Sequence, residues 1–185
     1  MTARVLCLVV LALEIAGLFI SISGRKWMVL IFYTQISNMI AAVSALSLAV
    51  FGQPEWVTIL RYLSTCMLVM TFLVTTCVLI PMGGNPKQLL WSGNGVYHHV
   101  LCPIISTMSY CMVEKHCGLG MVWLPVLVTL VYGLTMLLLN AVRKVDGPYP
   151  FFRVHNQSVL ATIMWVLVLL LVIGLISIAV CFVAG

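Results

Sequence analysis

The stretch WMVLIFYTQISNMIA (residues 27–41) is apolar enough to enter a membrane, yet it carries four polar side chains. These are Thr34, Gln35, Ser37 and Asn38. A polar side chain at bilayer depth must find a partner within the protein or line a wet cavity. On a helix Thr34, Ser37 and Asn38 share one face, because residues three and four apart are neighbours. That face is therefore predicted to point into the protein.

The composition of the whole chain is that of an integral membrane protein. Of its 185 residues, 63% are hydrophobic and only 7% are charged, whereas soluble domains carry about 25% charged residues. Its mean hydropathy is +1.20. Runs near the ~20 apolar residues that cross a hydrocarbon core recur from end to end. Six spans are predicted, at about residues 5–23, 28–51, 57–80, 95–113, 120–142 and 158–183.

These spans predict a single all-α membrane domain over residues 1–185, a six-transmembrane-helix bundle with both termini on the same side. No linker or low-complexity run separates two blocks. The loops after spans one, three and five hold most of the basic residues, so the positive-inside rule places both termini outside. The expected location is the plasma membrane, or the inner membrane if the protein is bacterial. The basic residues of those loops are Arg25, Lys26, Lys87, Arg143, Lys144 and Arg153.

The first span also fits a signal peptide, because residues 21–23 (Ser-Ile-Ser) resemble a small-x-small cleavage site. Glu14 argues against that interpretation, since an acid interrupts the apolar core. We therefore interpret residues 5–23 as a retained span. A carboxyl group at mid-span is either held neutral, or hydrogen-bonded to a neighbouring helix, or part of a functional site. For intramembrane acids the functional interpretation is favoured.

Spans three and four are separated by the longest irregular segment of the chain, residues 81–95. This segment is either a lid over a cavity or a plain connector. Arg61, near the start of span three, is expected to extend to the membrane surface. The threonines of that span are expected to bond to carbonyls of their own helix and to need no functional explanation.

Charge and cysteine content argue against several classes of protein. The net charge of +5 is scattered over loops, so nucleic-acid binding is not expected. The seven cysteines fall mostly inside apolar runs and indicate buried small side chains, not a disulfide framework. Cys111 and Cys117 flank one short loop and could pair if it faces an oxidising space. No His-x-x-x-His or Cys-x-x-Cys spacing occurs, so no metal and no other cofactor is expected.

Chemically capable residues gather in one half of the membrane. From a helix rise of about 1.5 Å per residue, Thr34 lies roughly 9 Å in from the start of span two. By the same measure Glu14 lies roughly 13 Å from the end of span one. His98 and His99 enter from the same side at the start of span four, and the loop around Tyr149 closes over that side. This cluster is the predicted site.

A hydroxyl beside a histidine is the minimal pair of nucleophile and base. Thr34 and His98 would supply it, and Gln35 or Asn38 could orient the histidine or donate to an oxyanion. Adjacent histidines point about 100° apart on a helix, so at most one of His98 and His99 faces Thr34. A threonine in a membrane helix is more often a packing residue, so spacing alone does not establish the pair.

Three short runs follow one another in a recognisable order: FYTQISN (residues 32–38), YHHVLCP (97–103) and GPYPF (147–151). Together they resemble the androgen-induced protein family of six-span membrane hydrolases and its bacterial relatives. Characterised animal members of that family are intramembrane threonine hydrolases that cleave fatty-acid esters of hydroxy fatty acids. The resemblance implies Thr34 as the nucleophile and His98 as the essential histidine, with His99 close behind. It departs at Ser109, which stands about where several relatives carry an acid that would tune the histidine.

The sequence therefore predicts an enzyme that hydrolyses lipid esters within the membrane, with Thr34 as nucleophile and His98 as base. Its expected partners are membrane lipids and a fatty-acyl ester substrate. Residues with a supporting or substrate-binding role are predicted to be Glu14, Gln35, Asn38, His99 and Tyr149.

Two alternatives stay open on the sequence. The same pocket could belong to a membrane protein that binds a lipid or small molecule without catalysis. A small proton-coupled transporter could instead use Glu14 and the two histidines. A transporter should show broken helices in corresponding halves, and Pro103 and Pro125 do not correspond.

Overall fold

The computed structural model describes residues 2–114 and 118–183, apart from the side chains of residues 2–4 and 25–27, and these ranges are helical with no strand. Five helices in the described ranges are long and apolar enough to cross a membrane. This confirms an all-α fold of membrane type. The five helices are Val5–Gly24, Tyr33–Phe51, Glu55–Leu79, Leu119–Ala141 and Val159–Val183.

Short turns join and extend the longer helices. The described ranges contain two π-helical segments: Thr75–Leu79 continues the third helix, and Val96–Leu101 leads into the fifth. Helices of the 3-10 type are Lys26–Ile31, Leu119–Val122, Pro150–Phe152 and Val154–Asn156. The α-helices are α1 (Thr2–Arg25), α2 (Tyr33–Phe51), α3 (Glu55–Val74), α4 (Pro86–Leu90), α5 (Cys102–Val113), α6 (Trp123–Ala141) and α7 (Val159–Val183).

The predicted fourth span, residues 95–113, is helical but is not one of the five long apolar helices. Its first part is the π-helical segment Val96–Leu101, which contains both histidines. Pro103, the second residue of α5, follows shortly after and has no amide hydrogen to give the carbonyl of His99, one turn earlier. The wider π-helical turn leaves room for the carbonyl group that lacks this hydrogen bond. Such turns inside helices are frequent at functional sites.

Helix α3 is the centre of the bundle. It packs against α2, α5, α6 and α7, while α1 packs against α2 and α5. Residues 61–68 of α3 are all buried. Helices α6 and α7 instead expose large apolar side chains such as Leu138 and Leu171. An apolar helix with an exposed apolar face suits contact with lipid.

The inward-facing polar surface predicted for the opening stretch is confirmed. Thr34, Gln35, Ser37 and Asn38 are all buried. The carbonyl oxygen of Thr34 accepts hydrogen bonds from Ser37 Oγ at 2.9 Å and from Asn38 Nδ2 at 2.6 Å. The α-helix begins only at Tyr33, because the residues before it form a 3-10 turn that ends in an extended residue. Span two is therefore shorter than predicted at its start.

Arg61 does not extend to the membrane surface, and this prediction is wrong. Its side chain is buried, with Nε 2.7 Å from Glu114 Oε1. Its other nitrogens donate to Cys7 Sγ at 3.1 Å and to Ser109 Oγ at 3.3 Å. Thr58 donates to the second oxygen of Glu114 at 3.1 Å. This cluster joins α1, α3 and the end of α5 at the end of the bundle opposite the histidines.

Breaking this ion pair should destabilise the bundle. We expect Arg61→Leu to lower the free energy of unfolding by about 3–5 kcal/mol, because it leaves a buried carboxylate without its counter-charge. Denaturant unfolding in detergent micelles, followed by tryptophan fluorescence, measures the change. Glu55→Ala, an exposed acid in the first turn of the same helix, is the matched control and should change little. The pairing would be contradicted if the double variant Arg61→Leu/Glu114→Leu lost as much free energy of unfolding as the two single variants together.

The cysteines follow the prediction in part. Cys7, Cys66, Cys102 and Cys181 are buried, but Cys77 is exposed. Cys111 lies in α5, whereas Cys117, with Lys115 and His116, lies outside the described residues. The pairing of Cys111 with Cys117 stays a prediction.

Candidate functional site

A cavity of about 640 Å³ lies on the side of the bundle where the sequence places the site. Ser21 of α1 and Thr34 and Gln35 of α2 contribute to its walls. The segment from Leu79 to Gly95 forms much of its rim, and residues 148–150 form the rest. The irregular segment between spans three and four therefore does line a cavity.

The segment 81–95 is folded back on itself and tied to α1. Asn94 Nδ2 donates to Ser21 Oγ at 2.8 Å. Gly95 allows the close return of the chain, because a Cβ there would lie 2.4 Å from the carbonyl oxygen of Leu89. No side chain fits at that distance, so the sharp approach of α4 to the π-helical segment depends on glycine.

The wall of this cavity is mixed, with polar side chains such as Gln35 and Asn94 among apolar ones. Thr34 lies where it meets a second, more apolar slot of about 50 Å³ between α3, α6 and α7. Thr34, Leu79 and Tyr149 line both spaces. The Thr34 hydroxyl is 3.3 Å from the Tyr149 hydroxyl, and the Thr34 amide donates to that same oxygen at 3.3 Å. Thr34 is the second residue of α2, where backbone amides have no partner within the helix. Tyr149 therefore pairs with both the hydroxyl and the amide of Thr34, whose carbonyl is bonded to Ser37 and Asn38.

Tyr149 is held by an aromatic cluster in the loop between α6 and α7. Its ring stacks on Phe151, with centroids 5.2 Å apart and an angle of 13°, and meets Phe32 edge-on at 5.9 Å. Burial raises the pKa of the Tyr149 phenol above its ordinary value. A higher pKa keeps the group neutral, so it remains a hydrogen-bond donor.

His98 is completely buried between α1 and α2. Its Nδ1 is 3.1 Å from Gln35 Nε2, and its Nε2 is 3.8 Å from Glu14 Oε2. The thiol of Cys102 also faces Glu14. Within the described part of the chain no hydrogen bond joins His98 to Thr34; Gln35, the neighbour of Thr34, stands between them.

His99 points the other way, as the angle between adjacent helical residues predicts. It is half-buried, it lines the larger cavity, and its Nδ1 is 2.6 Å from Thr75 Oγ1. The histidine that lines a cavity together with Thr34 is therefore His99, whereas the histidine linked to the neighbour of Thr34 is His98. The roles of both residues stay predictions.

Several buried polar atoms near His98 have no hydrogen bond of ordinary geometry among the described residues, although the Cys102 thiol faces the Glu14 carboxyl and His98 lies near the Glu14 backbone. They are both carboxyl oxygens of Glu14, Gln35 Oε1, Asn38 Oδ1 and His98 Nε2. Buried polar atoms usually have partners, because leaving one unpaired costs about 1–3 kcal/mol. Their concentration on facing surfaces of α1, α2 and the π-helical segment is typical of a functional site.

Ser109, the departure from the family pattern, lies far from the histidines. It bonds to Arg61 in the ion-pair cluster at the other end of α5. The acid that faces His98 is Glu14, and it comes from α1. Ser109 therefore does not act directly on the His98 ring.

Sequence reasoning missed two contributors to the site. Thr71 and Thr76 bond to carbonyls of their own helix as expected, but Thr75 bonds to His99 instead. Gly17 faces the His98 ring so closely that a Cβ there would lie 2.3 Å from Nε2. Gly17 is three residues after Glu14, on the same face of α1. A glycine at that spacing from an intramembrane acid is the signal that could have identified it.

No protein-family model, curated protein or solved structure matches this chain. Among the described residues, no group of three or more His, Cys, Asp or Glu side chains is placed to hold a metal ion.

Proposed function

We propose that this protein is an intramembrane hydrolase of lipid esters with Thr34 as its nucleophile. The observation that carries the proposal is the position of Thr34 at the junction of a large, partly polar cavity and a small apolar slot. An ester with its polar part in the cavity and the first carbons of its acyl chain in the slot has its carbonyl at that junction. The resemblance of three sequence runs to a family of threonine hydrolases supports the same residue.

In this proposal the Thr34 hydroxyl attacks the ester carbonyl while a histidine takes its proton. The ester C–O bond then breaks, and the alcohol leaves with that proton. Water from the cavity hydrolyses the acyl-Thr34 ester, so the fatty acid is released and the threonine hydroxyl is restored. His98 is the proposed base, because Gln35 holds its Nδ1 and Glu14 faces its Nε2. A base oriented by a third group is the usual arrangement of such sites. For the proton to pass, the Gln35 amide must turn away or a water must join Thr34 to His98. His99 is the alternative base, because it lines the cavity.

A second candidate is a membrane protein that binds a lipid without cleaving it. The Thr34 hydroxyl is paired with Tyr149 and not with a histidine, and this pairing favours binding over attack. Both candidate functions use the same cavity and slot, so the identity of the ligand alone does not distinguish a hydrolase from a binding protein.

The purified protein in detergent micelles separates the two candidates. A hydrolase should turn over neutral long-chain esters and should be labelled by a fluorophosphonate probe, with the label on Thr34 by mass spectrometry. A binding protein should retain such esters uncleaved and take no label. A protein that neither binds nor cleaves them contradicts both.

We also propose that residues 95–113 form a sixth crossing, so that both termini lie outside. The helical turns continue through this range from Val96 to Val113, and α1 and α3 pack against them. An even number of crossings returns the chain to its starting side. The uneven distribution of basic loop residues supports the orientation.

Introduced cysteines test this orientation. With Cys77, Cys111 and Cys117 changed to serine, Lys87→Cys and Lys144→Cys should resist a membrane-impermeant thiol reagent in intact cells. Gly118→Cys should react, because it lies in the loop on the opposite side, is exposed and has open space around its Cβ position. The reverse labelling pattern would overturn the orientation but not the fold.

A further inference from the structure

The apolar slot has room for only a short piece of hydrocarbon. Its volume is about 50 Å³. That is less than a tenth of the volume of the cavity beside it, which is about 640 Å³. A long acyl chain therefore cannot lie in the slot over its whole length.

The hydroxyl groups in the wall of the slot already have partners. Tyr33 pairs with Thr129 at 2.8 Å, and Tyr132 donates to the carbonyl of Ile31 at 2.7 Å. The hydroxyls of Thr71, Thr75 and Thr34 are bonded to the Met67 carbonyl, His99 and Tyr149 respectively. A ligand in the slot would meet no unpaired hydroxyl, so the slot suits hydrocarbon better than a polar group.

The slot opens toward the lipid-facing side of the bundle. Leu134 lines it and is 54% exposed. It lies on α6, whose outward face carries other exposed apolar side chains. A chain that outgrows the slot can therefore continue into the hydrocarbon of the bilayer without crossing a polar surface.

Gly133 leaves the space of the slot open. It lies on α6 in the wall of the slot, one turn beyond Thr129. A Cβ at Gly133 would meet only two ring atoms of Phe152, both at 3.9 Å, which is ordinary contact. A small side chain is therefore tolerated at this position, and a larger one would extend into the slot.

We propose that Gly133 is the specificity-determining residue of the slot. It admits the first few carbons of a straight acyl chain, next to the carbonyl at Thr34, and the slot rejects a chain that branches in those carbons. The remainder of the chain lies in the bilayer, so total chain length matters less than branching close to the carbonyl. The inference rests on the proposed function for the position of the carbonyl.

The test uses the whole protein in micelles and two readouts. The first is photocrosslinking to a non-hydrolysable acyl amide whose chain is straight next to the carbonyl and carries a diazirine just beyond the carbons that fill the slot, mapped by mass spectrometry. The second is hydrolysis of straight-chain esters against esters branched at the carbon next to the carbonyl. The wild type should crosslink to slot residues and prefer the straight chain. Gly133→Leu should reduce crosslinking by about tenfold or more, because its side chain occupies the slot.

The matched control is Gly174→Leu. Gly174 is also in a membrane helix, its Cβ would also meet a single neighbour, Val126, at 3.9 Å, and it lines neither space. It should change crosslinking by no more than about twofold. Gly133→Ala is the second variant at the site, since a single methyl group fits there. It should reduce crosslinking less than leucine does, and it should sharpen the preference for straight chains.

The outcomes separate the slot from the proposed function. If Gly133→Leu loses the crosslink while the wild type cleaves no ester, the slot assignment holds and the hydrolase proposal fails. If Gly133→Leu does not fold, Gly133→Ala decides. Wild-type crosslinking and wild-type selectivity in the variants that fold would overturn the inference. So would crosslinks of the wild type that map outside the slot.

Discussion

Thr34→Ala should abolish both ester hydrolysis and fluorophosphonate labelling, because it removes the oxygen that would attack the carbonyl. Thr34→Ser keeps that oxygen and loses only a methyl group, so it should retain part of the activity. His98→Ala should lower the rate by about 10²–10⁴-fold, the usual contribution of general-base catalysis. Rates with a neutral long-chain ester in micelles, corrected for folded protein, measure each effect.

Ser37→Ala is the matched control for this series. Ser37 is a buried hydroxyl one turn along the same helix, and it lines neither the cavity nor the slot. Its loss should leave most of the activity.

Because nucleophile and base act as one unit, the Thr34→Ala/His98→Ala double variant should be scarcely worse than Thr34→Ala alone. Loss of activity with His99→Ala but not with His98→Ala would assign the role of base to His99, the histidine that lines the cavity. Full turnover by folded Thr34→Ala would rule out the mechanism.

Gly17→Ala should lower the rate of ester hydrolysis nearly as much as removal of the His98 side chain does. The added Cβ would lie 2.3 Å from His98 Nε2, 2.6 Å from Cδ2 and 3.0 Å from the Cβ of Tyr97. The imidazole is completely buried, so it has no free space to move into. Either its bond to Gln35 breaks or α1 shifts away, and overpacking of this kind costs about 1–3 kcal/mol. We expect both hydrolysis and thermal stability in micelles to fall.

A double-variant cycle distinguishes this steric effect from a general loss of stability. If the methyl group acts by displacing the ring, then Gly17→Ala should cost much less stability in a protein that already carries His98→Ala. Gly174→Ala adds the same methyl group to α7, where it meets only ordinary contact, and should change neither readout. Wild-type activity in Gly17→Ala would show that the position of His98 is not critical.

The helical periodicity of the sequence predicted the inward polar face of α2 because that argument needs only neighbouring residues. It also predicted that His98 and His99 diverge. It could not predict which of them lines the cavity, since that depends on the π-helical turns before Pro103, and a local register change leaves no periodic signal. The prediction that Arg61 extends to the membrane surface was wrong for a different reason. Its partner Glu114 is far away in the chain, and only the packing of α3 against α5 brings them to 2.7 Å.

Thr34 is the second residue of α2, and its amide points at the Tyr149 hydroxyl instead of at a carbonyl of its own helix. This amide lies at the positive end of the helix dipole. A negatively charged group that replaced the neutral phenol there would gain roughly 0.3–1 kcal/mol from that dipole. The preference for an anion at this point thus belongs to the backbone, and side-chain substitutions at Thr34 leave it in place.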